Sequence, residues 1–205
     1  MRKDLTQEAV FLCRQLVALA ATPESLGLLA LLLLQESRSL ARVTDGGDLV
    51  PLAEQNRSLW DQDLIREGVQ LIQTAILSGK LGPYALQAAI ASVHALADSV
   101  KNTQWALIID YYDMLLSINP TPVVELNRAI AIGMHHGPET GLALIERLLE
   151  NEKLKDYPAV YAAQGEFCKK SGLINRAVAA YRLAINLARQ KPEARYLQKQ
   201  LDEIL

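Results

Sequence analysis

An all-α chain, built as a stack of antiparallel helical hairpins with about ten helices, is what three features of the sequence predict. Apolar residues recur at three- and four-residue steps through nearly every segment, and no segment sustains the period-two alternation of a strand. Leu and Ala dominate, while aromatics make up only 5% of the 205 residues, which favours helix over strand. Connections after residue 79 are short, so neighbouring helices should run antiparallel.

The first helix is expected over 4–20, with Leu5, Ala9, Leu12, Leu16 and Leu19 as its apolar stripe. Thr22 suits the cap of the next helix and Pro23 its first position. That helix, about 23–41, is apolar nearly all round from Leu26 to Leu34, so it should pack on more than one side. Residues 42–61, RVTDGGDLVPLAEQNRSLWD, break the helical period and form the one irregular insertion. Within it Asp45-Gly46-Gly47-Asp48 is turn material and Leu49-Val50-Pro51-Leu52 is short and extended, with at most a short extended pair within 45–53. Its apolar content predicts an ordered flap pinned to the body by Trp60.

Helix resumes over 61–78, with Gly79 as its stop. Further helices are expected at 83–97, opened by Pro83, and at 103–118, capped by Thr103. Thr121 and Pro122 open a helix over 121–135, and others follow at 138–150, 157–171, 174–188 and 192–204.

A net charge of −2 argues against a whole-domain electrostatic grip on nucleic acid. Two cysteines, Cys13 and Cys168, make no disulfide framework and suit a reducing compartment. The N-terminal segment lacks the pattern of a signal peptide, and the run Leu26–Leu34 is far short of the roughly 20 residues that span a bilayer. The expectation is a soluble cytoplasmic protein without membrane contact.

Ala129, Gly141, Ile145 and Leu148 recur 36 residues later as Gly165, Ala177, Tyr181 and Ala184. These small, small, large, small positions resemble the tetratricopeptide helical hairpin, with Tyr161 and Cys168 filling the positions around Gly165. Gly165 and Ala177 must be small where two helices cross, and Tyr181 fills the gap beside them. The expected organisation is one helical domain over 1–205, open to division into a half with the flap over 1–100 and a repeat half over 101–205.

No catalytic, cofactor-binding or metal-ligating set emerges. His135 and His136 are adjacent on a helix end and point different ways, so they chelate one ion poorly. His94 reads as a structural histidine, and Asp45 and Asp48 lack the ligand spacing of a calcium loop. There is no phosphate-binding glycine motif. Glu125 and Arg128, three apart on one helix face, could pair. Asn127 falls on the stripe of Val123, Ile130 and Met134, where it is expected to be buried with its amide bonded. Asn127 then clamps neighbouring hairpins or grips a peptide, and Asn127→Leu should cost about 1–3 kcal/mol.

Four runs carry a family resemblance: LGLLALLLLQESR (Leu26 to Arg38), GDLVPLAEQNRSLWD (Gly47 to Asp61), GPYALQAAIASVHA (Gly82 to Ala95) and PTPVVELNRAIAI (Pro120 to Ile132). Together they resemble the TPR-like C-terminal extension of a subgroup of bacterial ECF-type sigma factors, within the sigma-70 family. Asn56 stands where that family usually has Asp. The resemblance implies a fragment, because such proteins carry promoter-reading domains upstream that are not recognisable in this chain. It also implies a regulatory, non-enzymatic role in transcription initiation, with the protein's own sigma domains and RNA polymerase core as partners and no direct DNA contact. Asp48, Asn56, Arg57, Trp60, Glu125, Asn127 and Arg128 are the candidate contact or clamp residues. Alternatives are a small-molecule sensor or enzyme using a pocket beneath residues 42–61, or a free-standing helical scaffold with a peptide groove.

Overall fold

The computed structural model describes residues 3–44 and 46–205. Among them run ten α-helices: α1 (Lys3–Leu19), α2 (Pro23–Glu36), α3 (Gln62–Ser78), α4 (Pro83–Leu96), α5 (Trp105–Ile118), α6 (Pro122–His136), α7 (Pro138–Leu148), α8 (Pro158–Lys170), α9 (Ile174–Leu187) and α10 (Lys191–Asp202). Single 3-10 turns lie at Ser39–Ala41, Arg57–Leu59 and Glu152–Leu154. No strand forms among the described residues; one isolated antiparallel bridge joins Val43 to Leu49. The fold is all-α and made of helical hairpins, as the periodicity predicts.

Local chemistry explains the boundaries. Thr22 caps α2 in a reciprocal box with Ser25, its hydroxyl oxygen accepting from the Ser25 N–H at 3.1 Å. α2 stops at Glu36, five residues short of expectation, because Ser37 turns its hydroxyl back to the Leu34 carbonyl at 2.8 Å. Thr103 does not cap α5. Its hydroxyl donates to the Ser99 carbonyl at 3.1 Å, and Gln104 takes the cap position without a side-chain bond. Thr121 does cap α6, and Gly79 ends α3 at φ +139°, a backbone region open to glycine.

The chain packs as two compact units. One comprises α1 to α5, with the chain as far as Arg42 and from Pro51 to Asn119; the other comprises Val43–Val50 and Pro120–Leu205.

In the first unit α2 is central and touches α1, α3 and α4, burying Leu26, Leu29, Ala30, Leu33 and Leu34. A Cβ on Gly27 would lie 2.4 Å from the Ala85 Cα, so α2 and α4 meet backbone to backbone. Gly68 admits the Leu34 side chain of α2 against α3, where a Cβ would fall 2.8 Å from the Leu34 Cγ. α1 departs from expectation: Leu5, Leu12, Leu16 and Leu19 are exposed, and α1 instead packs Val10, Cys13 and Val17 on Leu29 and Leu33. α1 carries two apolar faces, and the one with smaller side chains permits the closer approach to α2.

In the second unit α6 to α10 pack as sequential neighbours. Gly165, Ala177, Tyr181 and Ala184 meet as the repeat pattern requires: a Cβ on Gly165 would touch the Tyr181 ring at 3.0 Å, and Ala177 and Ala184 are fully buried. Cys168 is buried and Tyr161 packs against the same core. The preceding hairpin closes on a residue that periodicity missed. The Phe167 ring fills the space where Gly133 and Gly141 cross, 2.3 Å from a Cβ placed on Gly133.

Gly27→Ala should therefore destabilise the protein by about 1–3 kcal/mol despite alanine's better helix propensity, because the Ala85 backbone cannot yield. Urea denaturation reads the loss as a lower midpoint at unchanged slope.

Candidate functional site

The insertion between α2 and α3 divides into two parts. In the second unit, residues 43–44 and 46–50 form a small turn: Thr44 N–H donates to the Asp48 carbonyl and Gly47 N–H to the Thr44 carbonyl, each at 2.9 Å, with Gly47 at φ +78°. Arg195 of α10 donates to the Asp48 carboxylate and to the Gly47 carbonyl. Both side chains are about half exposed, so this ion pair contributes at most about 1 kcal/mol. Asp45 lies outside the described residues.

The second part, from Pro51 to Asp61, belongs to the first unit and is held tightly. Asn56 caps the 3-10 turn, its side-chain oxygen accepting from the Ser58 N–H at 3.0 Å and the Ser58 hydroxyl at 2.8 Å. The position needs only an acceptor, which an amide supplies as well as a carboxylate. Trp60 is 4% exposed and packs with Leu34, Ala41 and Ile65, the anchor expected of it. Asp61 closes the segment: its N–H bonds to the Ser37 carbonyl at 2.9 Å, and its carboxylate caps α3 through the Asp63 and Leu64 N–H groups.

Arg57 organises the site. Its Nη1 donates to the carbonyls of His94 at 2.7 Å and Ala97 at 2.6 Å, satisfying orphan acceptors at the C-terminal end of α4. Its guanidinium also lies 4.4 Å from the Trp60 ring centroid, and that of Arg38 lies 5.9 Å away. Arg38 donates to the Gln35 side-chain oxygen at 2.8 Å, and Arg42 shares that oxygen. Burial, then Arg42 and Arg57, pull Arg38 down to about 10. Burial, followed by Arg38 and Arg57, holds the His94 pKa at about 4, so the imidazole is neutral near pH 7. The His94 ring stacks edge-on against Trp105 at 5.3 Å.

Beside this cluster opens a cleft of about 610 Å³, lined by Arg57, Trp60, the outer face of α3 and the end of α4. Of these two lining residues, Arg57 Nη2 and Trp60 Nε1 are buried without a hydrogen-bond partner. The sequence pointed to Arg57 and Trp60 but not to Arg38, Arg42 or the α4 carbonyls. The expected helix over 23–41 takes Arg38 into its last turn and leaves Arg42 to the insertion, and the stop at Glu36 instead sets Arg38 over the Trp60 ring.

The remaining candidates lie on α6, in the second unit. Asn127 is exposed, which corrects the expectation of a buried clamp. The buried residues of α6 are Leu126, Ala129, Ala131 and Gly133, with Ile130 and Met134 of the expected stripe packed against the same core. Small residues decide the buried face, because α7 approaches at Gly133. Val123 is likewise exposed, while Glu125 and Arg128 are half-buried. Burial raises the pKa of the thiols of Cys13 and Cys168. His135 and His136 stack edge to face at 4.4 Å. Among the described residues no group of three or more His, Cys, Asp or Glu could hold a metal, and no helix is long and apolar enough to cross a membrane.

Asn127→Leu should now shift stability by no more than about 0.5 kcal/mol, whereas Arg57→Ala should cost about 1.5–3 kcal/mol by stranding two carbonyls. Parallel thermal melts separate the two. A second outcome concerns pH. The folded pKa of His94 lies below its ordinary value of 6.5, so the unfolded chain binds the proton first. Stability is full above about pH 6.5 and falls toward pH 4, by on the order of 3 kcal/mol at most. Denaturation of His94→Gln across that window should show a shallower acid slope than wild type.

Residues 1–76 match a family of unknown function, DUF6596. Across 202 residues the chain is 42% identical to an uncharacterized protein of Rhizobium meliloti (strain 1021), an alignment that takes in 98% of this chain and 47% of that relative. The chain thus spans about half the length of the curated relative it matches.

Proposed function

We propose that this chain is a regulatory protein-interaction domain of an ECF-type RNA polymerase sigma factor, acting in transcription initiation without reading promoter DNA itself. The observation that carries the reading is the GDLVPLAEQNRSLWD run, Gly47 to Asp61, within a resemblance that covers nearly all 205 residues in order. Its residues hold defined positions: Asn56 caps, Arg57 ties the end of α4, Trp60 anchors and Asp61 starts α3.

Three further points support it. A relative about twice as long leaves room for promoter-reading domains in proteins of this kind. A net charge of −2 suits contact with protein rather than with DNA. Helical hairpins of the tetratricopeptide-like pattern offer grooves for protein segments. On this reading the domain governs the activity of its sigma factor through contact with the sigma domains or polymerase core in the bacterial cytoplasm.

Sequencing the gene upstream of Met1 should reveal two sigma-type domains, and reconstituted run-off transcription with core polymerase should depend on this region. Within that full-length protein, the exposed-site variant Asp98→Asn should leave the fold intact while altering transcript yield. A gene with no sigma-type domains would remove the proposal.

A further inference from the structure

The buried donors beside Trp60 lack acceptors, and the groups around them state what would supply one. We infer that the cleft along α3 binds an acidic peptide segment, with a carboxylate side chain taken up by the Arg57 and Trp60 donors. The inference rests on the reading of this chain as an interaction domain and names the chemistry of its partner at one site.

Trp60 is 96% buried, since only 4% of it is exposed, yet its indole N–H has no partner, and neither has Arg57 Nη2. Buried polar groups are nearly always paired, so two adjacent orphan donors mark a place for an acceptor. Both are donors only, and an indole cannot accept. The surrounding charge is positive: Arg38 and Arg57 both stack on the Trp60 ring, and Arg42 shares the Gln35 oxygen with Arg38. The acid that acts on Arg57 is Asp98, on the exposed rim of the cleft. An entering carboxylate would form charge-assisted bonds in a site already partly withdrawn from water, where they are strongest.

The size of the cleft argues for a peptide rather than a free anion. About 610 Å³ far exceeds one carboxylate. Its wall continues along α3 through Gln70 and Gln73, whose amides can pair with an extended backbone, and beside Ile65, Val69 and Leu96, which can cover an aliphatic neighbour. A nucleic acid is disfavoured by the same wall. A run of phosphates needs a continuing basic stripe, and here the one further arginine on the wall, Arg66, is paired with Asp63 and stands among glutamines and aliphatic residues.

The test uses a fluorescein-labelled peptide of alternating Glu and Leu, its Gln-for-Glu isostere and free glutamate, with binding read by anisotropy on the full chain. The acidic peptide should bind at least about tenfold more tightly than the isostere, and free glutamate at equal carboxylate concentration should not displace it. Asp98→Asn, which removes a competing charge on an exposed residue, should tighten binding about threefold. In wild-type protein the indole N–H resonance of Trp60 should move on binding. That of Trp105, already bonded to the Val100 carbonyl at 3.1 Å, should move less.

Equal affinity for both peptides, a stationary Trp60 resonance at saturation, or displacement by free glutamate would each overturn the inference, the last in favour of a small-molecule site. Loss of the peptide result with transcription still dependent on this region removes the cleft assignment alone. Peptide binding by a protein whose gene lacks sigma-type domains removes the proposed function and leaves the cleft assignment standing.

Discussion

The contact between the α2 and α4 backbones at Gly27 and Ala85 sets the geometry of the first unit. No side chain separates the two helices there, so their spacing and crossing are fixed by main-chain contact rather than by adaptable packing. With Gly68 admitting α3 against Leu34 and the Ala30 carbonyl, α2 is held on two sides and covered by α1 on a third. That arrangement delivers the C-terminal ends of α2 and α4 to the same region. Ser37, Arg38 and Arg42 come from one, and the His94 and Ala97 carbonyls come from the other. The Trp60 segment fits between them because its own bonds reach both ends, through Arg57 to α4 and through the Asp61 N–H to Ser37.

The electrostatics follow from that placement. Helix C-termini carry partial negative charge and unsatisfied carbonyls, and a guanidinium is the side chain that meets both needs at once. Arg57 does so for α4 while resting on the Trp60 face. Bringing Arg38 and Arg42 to the same place is unfavourable in isolation: burial and mutual repulsion lower Arg38, while burial, with Arg38 and Arg57, keeps His94 neutral. A folded chain tolerates such concentrated positive charge where it serves a partner, which is the physical basis for assigning the adjoining cleft to an acidic ligand.

The second unit uses the same device with different residues. Close approach at Gly133 and Gly141 is filled by Phe167, and close approach at Gly165 is filled by Tyr181, whose hydroxyl donates to Glu166 at 3.0 Å. Each hairpin thus pairs small crossing residues with one ring, Phe167 from the following helix in the first case and Tyr181 from the hairpin's own second helix in the other. The 43–50 turn joins this unit through Asp48 and Arg195, a solvent-screened contact much weaker than the buried anchoring of Trp60 in the first unit.

The sequence alone determined the all-α class, the ten helices and the caps Thr22 and Thr121, though not Asp61, because periodicity and capping are local properties read within four residues. It also identified the insertion, the anchoring Trp60 and the small-residue hairpin of Gly165, Ala177 and Tyr181. Tertiary structure decided which face each helix buries. α1 and α6 both carry more apolar surface than one seam can use, and α2 and α7 took the faces that allowed the closer approach, leaving Leu12, Leu16 and Asn127 in solvent. It also decided the site. Arg38, Arg57 and the α4 carbonyls are distant in sequence, and no spacing rule connects a helix end to an arginine some 40 residues before it. Only the backbone contact at Gly27, itself invisible in periodicity because glycine carries no side chain, brings them together.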